Sequence, residues 1–208
     1  ASVTCAQDTQ ARRYAVAMAE HIRTARSVPQ STAAVHGGAS SNPEPPARPS
    51  MAGRSDAQSM SIGHRLDARS TPVALVTGSA RRIGAAIARR LHAAGYDLAL
   101  HYRDSAGDAQ ALAAELEGAR PNSTLLLQAD LVQFDRLPEL VAQAIGRYGR
   151  LDALVNNASA FYATPSGATT PAQWDELFAI NARAPFFLSQ AAAAHLANAN
   201  GAIVNIAD

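Results

Sequence analysis

The 208-residue chain contains no lysine; all 18 of its basic side chains are arginines. The base composition of a gene is enough to produce that bias, but it leaves no residue here to which a lysine-dependent step can be assigned. There is one cysteine, Cys5. A single thiol excludes an internal disulfide framework and a cysteine-cluster zinc site, and no metal site is expected. The 17 acidic residues leave a formal net charge of +1, which gives no ground for a nucleic-acid partner or a membrane surface. No apolar run approaches the roughly 20 residues of a membrane span. A soluble, cytoplasmic chain with one domain is the expectation, and its length is sufficient to bury a core.

Residues 1–72 differ in composition from the rest. From Ser27 to Ser70 the chain is crowded with Ser, Pro, Gly, Ala and Arg, as in Gly37-Gly-Ala-Ser-Ser-Asn-Pro-Glu-Pro-Pro46. Such a stretch buries too little apolar surface to offset its ordering entropy and is expected to be disordered. Ala11 to Arg26 could form a short helix. Asp8 and Glu20 argue against a targeting peptide, and there is no signal-peptide apolar core. An upstream extension is the expectation, with Met51 and Met60 as alternative starts.

The most informative stretch is Val73-Ala-Leu-Val-Thr-Gly-Ser-Ala-Arg-Arg-Ile-Gly84. Val73 to Val76 is a short apolar β-type run, and Thr77 with Gly78 breaks it. Ile83, Ile87 and Leu91 then fall at i, i+4 and i+8, one stripe of a helix. Strand, glycine turn and helix together offer free backbone N–H groups and a positive helix end to a pyrophosphate. Gly78, Arg81, Arg82, Ile83 and Gly84 are therefore candidate cofactor-binding residues. The middle glycine of the usual G-x-G-x-x-G pattern is missing, and Arg82 stands near its place.

Beyond this point strands and helices alternate. Strands are expected at 73–77, 97–101, 124–129, 151–156 and 202–206. Helices are expected at 83–94, 106–118 and 134–148. Thr170, Pro171 and Gln173 form a helix-start signature, and the Ala-rich helix that follows is expected to break near Pro185. Apolar strands joined by amphipathic helices imply a doubly wound parallel sheet, Rossmann-like, in the order 3-2-1-4-5, with residues 73–208 as its domain.

In this fold the end of the second strand meets the adenosine ribose. Here it carries His101, Tyr102, Arg103, Asp104 and Ser105. A guanidinium offers a charged fork of donors to a 2′-phosphate, which favours NADPH, while Asp104 opposes it by repulsion. Ser105 is equally suited to cap the next helix with Asp108 at its third position. His101 reads as well as a plain strand-end histidine as a functional one. Asp130 and Leu131 follow the third strand, where a carboxylate could accept from the adenine amine and a leucine could pack on the ring; a turn aspartate is the alternative. Asn156, Asn157, Ala158 and Ser159 lie at the switch point beside the expected nicotinamide ribose.

Thr77-Gly78…Gly84, Asn156-Asn157-Ala158 and a helical Asn181 together resemble the short-chain dehydrogenase/reductase family. Within it, Arg82 in the glycine turn, the His101-to-Ser105 run, Ser159 in place of a glycine and Asp208 in place of the catalytic serine resemble the pteridine reductases. The resemblance covers residues 73–208. It implies that Arg82 touches pyrophosphate and pterin, that Ser159 hydrogen-bonds cofactor or substrate, and that Phe161 stacks on the pterin. It implies that Asn181 supports a proton-relay water, and that Asp208 positions and protonates the substrate. The reaction implied is hydride transfer from NADPH to a C=N bond of a dihydropterin or dihydrofolate, in a full-length protein that is a homo-oligomer, a tetramer. The family's Tyr-x-x-x-Lys pair has no counterpart in these residues, so the chain as given is expected to be a C-terminally truncated, inactive form. Two alternatives stand beside this: another short-chain reductase acting on 3-oxoacyl thioesters or sugars, and a non-catalytic nucleotide-binding module.

Overall fold

A computed structural model describes residues 71–207. The expectations for the extension up to residue 70 and for Asp208 lie outside the described residues. Five short strands form one parallel sheet: β1 (Val73–Val76), β2 (Asp97–Tyr102), β3 (Thr124–Gln128), β4 (Ala153–Asn156) and β5 (Ala202–Asn205). Their order is β3-β2-β1-β4-β5, as the sequence pattern predicts. The helices are α1 (Arg82–Ala93), α2 (Ala106–Ala119), α3 (Leu137–Tyr148), α4 (Pro171–Phe178) and α5 (Ala184–Asn198).

Alternation along each strand feeds two cores. On one face Ala74, Val76, Leu98, Leu100 and Val155 pack with Ile87 and Leu91 of α1 and Leu112 and Leu116 of α2. On the other, Val73, Leu75, Ala99, Leu127 and Leu154 pack with Leu140 and Val141 of α3 and Leu188 and Leu196 of α5. Both faces of the central strands are covered, which is why those strands read as near-continuous apolar runs. The fold is a Rossmann-like doubly wound α/β sheet. At its lower edge the fully buried Asp152 carboxylate accepts the Val73 N–H at 2.9 Å and two guanidinium bonds from Arg150. Strand β4 is thereby tied to the start of β1.

Element ends shift by a residue or two from the sequence expectation, as helix and strand ends commonly do. Two differences have a specific physical cause. The expected helix 134–148 opens with a 3-10 turn at Phe134–Arg136 before α3. The chain also does not break at Pro185; α4 runs through a π turn at Ala179–Arg183 into α5, with Pro185 in the first turn of α5. Proline has no N–H to give the carbonyl four residues back, that of Asn181. The turn before it widens instead, and Ala184 N–H bonds Ala179 C=O. Thr170 makes the capping box the sequence implied, with Gln173 bonding back.

Helix α1 crosses β1 at contact distance. A Cβ on Gly84 would lie 2.2 Å from the Gly78 carbonyl oxygen and 2.7 Å from Asn157 Nδ2. A Cβ on Gly146, inside α3, would meet nothing within 4 Å. Gly84→Ala is therefore expected to destabilise the fold by about 2 kcal/mol or more through overpacking. Gly146→Ala should stabilise it by about 0.5–1 kcal/mol. Urea unfolding of both variants checks the two signs.

Candidate functional site

The strand order reverses between β1 and β4, and a crevice at their C-terminal ends follows from that reversal. Thr77 is its hub. The Thr77 hydroxyl accepts the backbone N–H groups of Asn157 and Ala158 at 2.9 and 3.0 Å and donates to the Val155 carbonyl at 3.3 Å. Asn157 returns the contact: its Nδ2 donates to the carbonyls of Thr77 and Gly78 at 2.9 and 3.1 Å. Ala158 lies against Gly78, which sits at φ +62° where only glycine is comfortable.

His101 holds the same turn from the other side. It is buried, its Nδ1 accepts the Gly78 N–H at 3.1 Å, and its Nε2 faces the Ala129 carbonyl at 3.1 Å. A carbonyl can only accept, so the ring is neutral with its proton on Nε2. Burial lowers its pKa below the ordinary 6.5, against the opposing pull of the Ala129 bond and the Asp130 charge. These two contacts tie the glycine turn to the residue that follows β3.

The N-terminal end of α1 is left open. Arg81 at its N-cap makes no side-chain capping bond, and no acidic residue lies in the first turn. The first N–H groups of a helix have no intrahelical partner, and with the positive helix end they make a setting suited to a pyrophosphate. Arg81 and Arg82 are both exposed, and Ile83 packs partly into the core. Arg82 has φ +48°, a conformation that costs an L-residue roughly 1–2 kcal/mol.

At the end of β2, Tyr102 is half-buried and Arg103 is exposed. Arg103 Nε lies 2.6 Å from Asp104 Oδ2. Ser105 occupies the N-cap position of α2 but makes no capping bond, so its hydroxyl stays available to a ligand. Asp108, expected to complete a cap there, pairs instead with Arg81 at 3.7 Å. Asp130 Oδ1 accepts the Val132 N–H at 3.1 Å, a turn-closing role compatible with a free second oxygen. Leu131 departs from expectation. It is 5% exposed and packs among Leu137 and Leu140, so its side chain is not open to an adenine ring; the partly exposed neighbour is Val132.

Past β4 the chain runs outward. Ser159 is exposed, and Phe161 is 93% exposed, which removes a core role for that ring. Its neighbour Ala160 is fixed: Asn181 accepts the Ala160 N–H on Oδ1 and donates Nδ2 to the Ala160 carbonyl, both at 2.9 Å. The Asn181 amide is thus committed to the loop. Pro185 has no N–H to offer the Asn181 carbonyl. π turns of this kind recur at functional sites. Tyr162, whose hydroxyl lies 3.0 Å from Glu176 Oε2, ties the same loop to α4.

Two participants escaped the sequence reading. Thr77 was placed in the strand rather than the site; its signal is a hydroxyl residue facing a paired asparagine across the switch point. Asn205, whose Oδ1 accepts Asn156 Nδ2 at 2.8 Å, is visible only once β4 and β5 are in register. Among the described residues no cluster of metal ligands occurs, and no helix is long and apolar enough to cross a membrane.

The short chain dehydrogenase family model matches residues 72–207. The chain belongs to that family. It is 39% identical to pteridine reductase 1 of Leishmania tarentolae, over 66% of this chain and 61% of that one. It is 34% identical to a short chain dehydrogenase of Claviceps purpurea and 33% identical to versicolorin reductase 1 of Aspergillus parasiticus, each over 66% of this chain. It spans 50% and 51% of those two relatives.

Two measurements test the site. Arg82→Gly should raise unfolding stability by up to about 1 kcal/mol, since it relieves the left-handed strain less glycine's entropy, and should weaken cofactor binding. A variant that loses stability would show that Arg82 is not strained. Second, a depressed histidine pKa means the fold favours neutral His101. Stability should therefore be full above pH 6.5, the unfolded value, and fall as pH drops below it toward the lower folded pKa. His92, buried against Ser123 and also lowered chiefly by burial, acts in the same direction. His101→Gln should flatten part of that acid slope in urea midpoints measured across pH.

Proposed function

We propose that this chain forms the cofactor site and part of the substrate pocket of an NADPH-dependent pteridine reductase that reduces a C=N bond of a dihydropterin or dihydrofolate. The observation that carries the reading is Phe161: an almost fully exposed aromatic ring on a loop whose preceding residue is clamped by Asn181. A flat, preset, water-exposed face at the switch point suits a flat heteroaromatic substrate. The 39% identity to a protein named pteridine reductase 1 points the same way.

The residues present suit a dinucleotide. The uncapped end of α1 would hold the pyrophosphate. Arg103 and Ser105 would hold the 2′-phosphate, and Tyr102 and His101 would back that subsite. Asp130 would accept from the adenine amine. Asn157 and Ala158 would shape the floor of the nicotinamide side, with Ser159 at its rim. Bound NADPH supplies the hydride. Arg82 would then orient the substrate's oxo group, Phe161 would hold its ring flat, and Asp208 would position and protonate it. Asn181 would steady a relay water through its carbonyl. Alignment of this kind contributes much of an enzyme's rate advantage.

The Tyr-x-x-x-Lys pair implied by the family is not among these 208 residues. The activity proposed is therefore that of a polypeptide or assembly that supplies it, working in the cytoplasm. A homo-oligomer is proposed for that form. Trp174, Phe178 and Phe186 lie exposed along α4 and α5, with the first two rings stacked at 4.2 Å, and such a stripe favours association.

With NADPH saturating, Phe161→Ala should weaken dihydropterin binding about tenfold by calorimetry and change NADPH affinity by less than about twofold. Equal pterin binding by both proteins, or preference for a 3-oxoacyl thioester, would sink the pterin reading. Failure to bind either nicotinamide cofactor would sink the whole of it.

A further inference from the structure

We propose that Tyr162 is a positioning residue for the substrate: by bonding to α4 it fixes the direction in which Phe161 presents its ring. The inference rests on the proposed role of Phe161 as the face on which a flat substrate stacks.

Phe161 is 93% exposed, so packing within the protein does not hold its ring. Its orientation has to come from its two neighbours in the chain. On one side, Asn181 binds both the N–H and the carbonyl of Ala160, each at 2.9 Å. The peptide bond from that carbonyl to Phe161 N is planar, so this clamp sets the plane in which the Phe161 backbone begins. On the other side, the Tyr162 hydroxyl donates to Glu176 Oε2 at 3.0 Å, and the Gln173 carbonyl lies 3.4 Å from the same hydroxyl. Both contacts are on α4. Phe161 thus sits between two tied neighbours.

Helix α4 is suited to hold that tie. None of its residues is buried, and it contributes to neither core. It is fixed at its ends instead. The capping box of Thr170 and Gln173 secures the start, and the other end continues into the π turn, where Ala179 and Ile180 are buried. Gln173 and Glu176 are three residues apart and so share a face, the one that Tyr162 meets. The Tyr162 pKa is raised, first by desolvation and then by the Glu176 hydrogen bond and charge, so the hydroxyl keeps its proton and remains the donor. Asn181 belongs to the same π turn. Both ties therefore lead to one continuous helical segment. A ring held in place before the ligand arrives loses less freedom on binding than a swinging one, so the hydroxyl supports substrate affinity without touching the substrate.

The test is calorimetry of 7,8-dihydrobiopterin on the full 208-residue chain, saturated with NADP⁺ so that no turnover intervenes. Tyr162→Phe, which removes one oxygen, should weaken pterin binding about three- to fivefold and change NADP⁺ affinity by less than about twofold. Glu176→Ala should weaken pterin binding similarly, and Glu176→Gln, which keeps an acceptor oxygen, should lose less. In a Phe161→Ala background Tyr162→Phe should have no further effect, because the hydroxyl acts only through that ring. Parental affinity in Tyr162→Phe or in Glu176→Ala, beside a clear loss in Phe161→Ala, overturns the positioning role and leaves the pterin reading standing. An equal loss from Tyr162→Phe with and without the Phe161 ring overturns it as well, since the tyrosine then meets the pterin directly or acts through the fold. Parental affinity in Phe161→Ala brings down the pterin reading and this inference together.

Discussion

Asn157 reaches from the end of β4 to donate its amide to the carbonyls of Thr77 and Gly78, and the Thr77 hydroxyl takes two N–H groups in return. The geometry of the site follows from this exchange between two strand ends. It fixes the glycine turn against β4 and brings the Gly78 carbonyl under α1, so closely that residue 84 can carry no side chain. His101 completes the arrangement by holding Gly78 N–H from the β2 side. The inner polar groups of the turn are satisfied by these partners, while the start of α1 has no side-chain cap.

A second constraint governs the substrate side. Pro185 removes one N–H from the helical ladder, and the turn before it widens. Asn181 sits in that widened turn, with its amide locked on Ala160. The backbone of the loop carrying Ser159 and Phe161 is therefore anchored at one residue. Charge is balanced with similar economy: Arg81 and Arg103 each face a carboxylate, whereas Arg82 has no ion pair among the described residues. Of these three arginines, the one proposed to serve both pyrophosphate and substrate has no such pair, and its backbone is left-handed.

Much of this was legible beforehand, for local reasons. The strand, glycine turn and helix around Gly78, Arg82 and Gly84 were legible because the three succeed one another within twelve residues, and strand and helix each have their own period. The Thr170 cap was found because its chemistry is contained in four residues. Where sequence reasoning failed, the deciding contact was long-range. Leu131 looked available to a ligand because it follows a strand, but α3 packs over it. Ser105 and Asp108 looked like a cap, but Asp108 pairs with Arg81 from another helix. Nothing near position 101 in the chain distinguishes a plain strand-end histidine from one that bonds both Gly78 and Ala129.

The sequence by itself determined the element order, the parallel sheet with its switch point, and the family to which the chain belongs. Those depend on periodicity and on glycines at fixed spacing, which are properties of neighbouring residues. Only the tertiary structure decided which polar groups are already engaged and which are free. Asn157 and Asn181 are committed to holding loops, Ser105 and the start of α1 are open, and Arg103 is shared with Asp104. Hydrogen bonds and ion pairs are short-ranged and exclusive, so their allocation is fixed only when residues far apart in the chain meet.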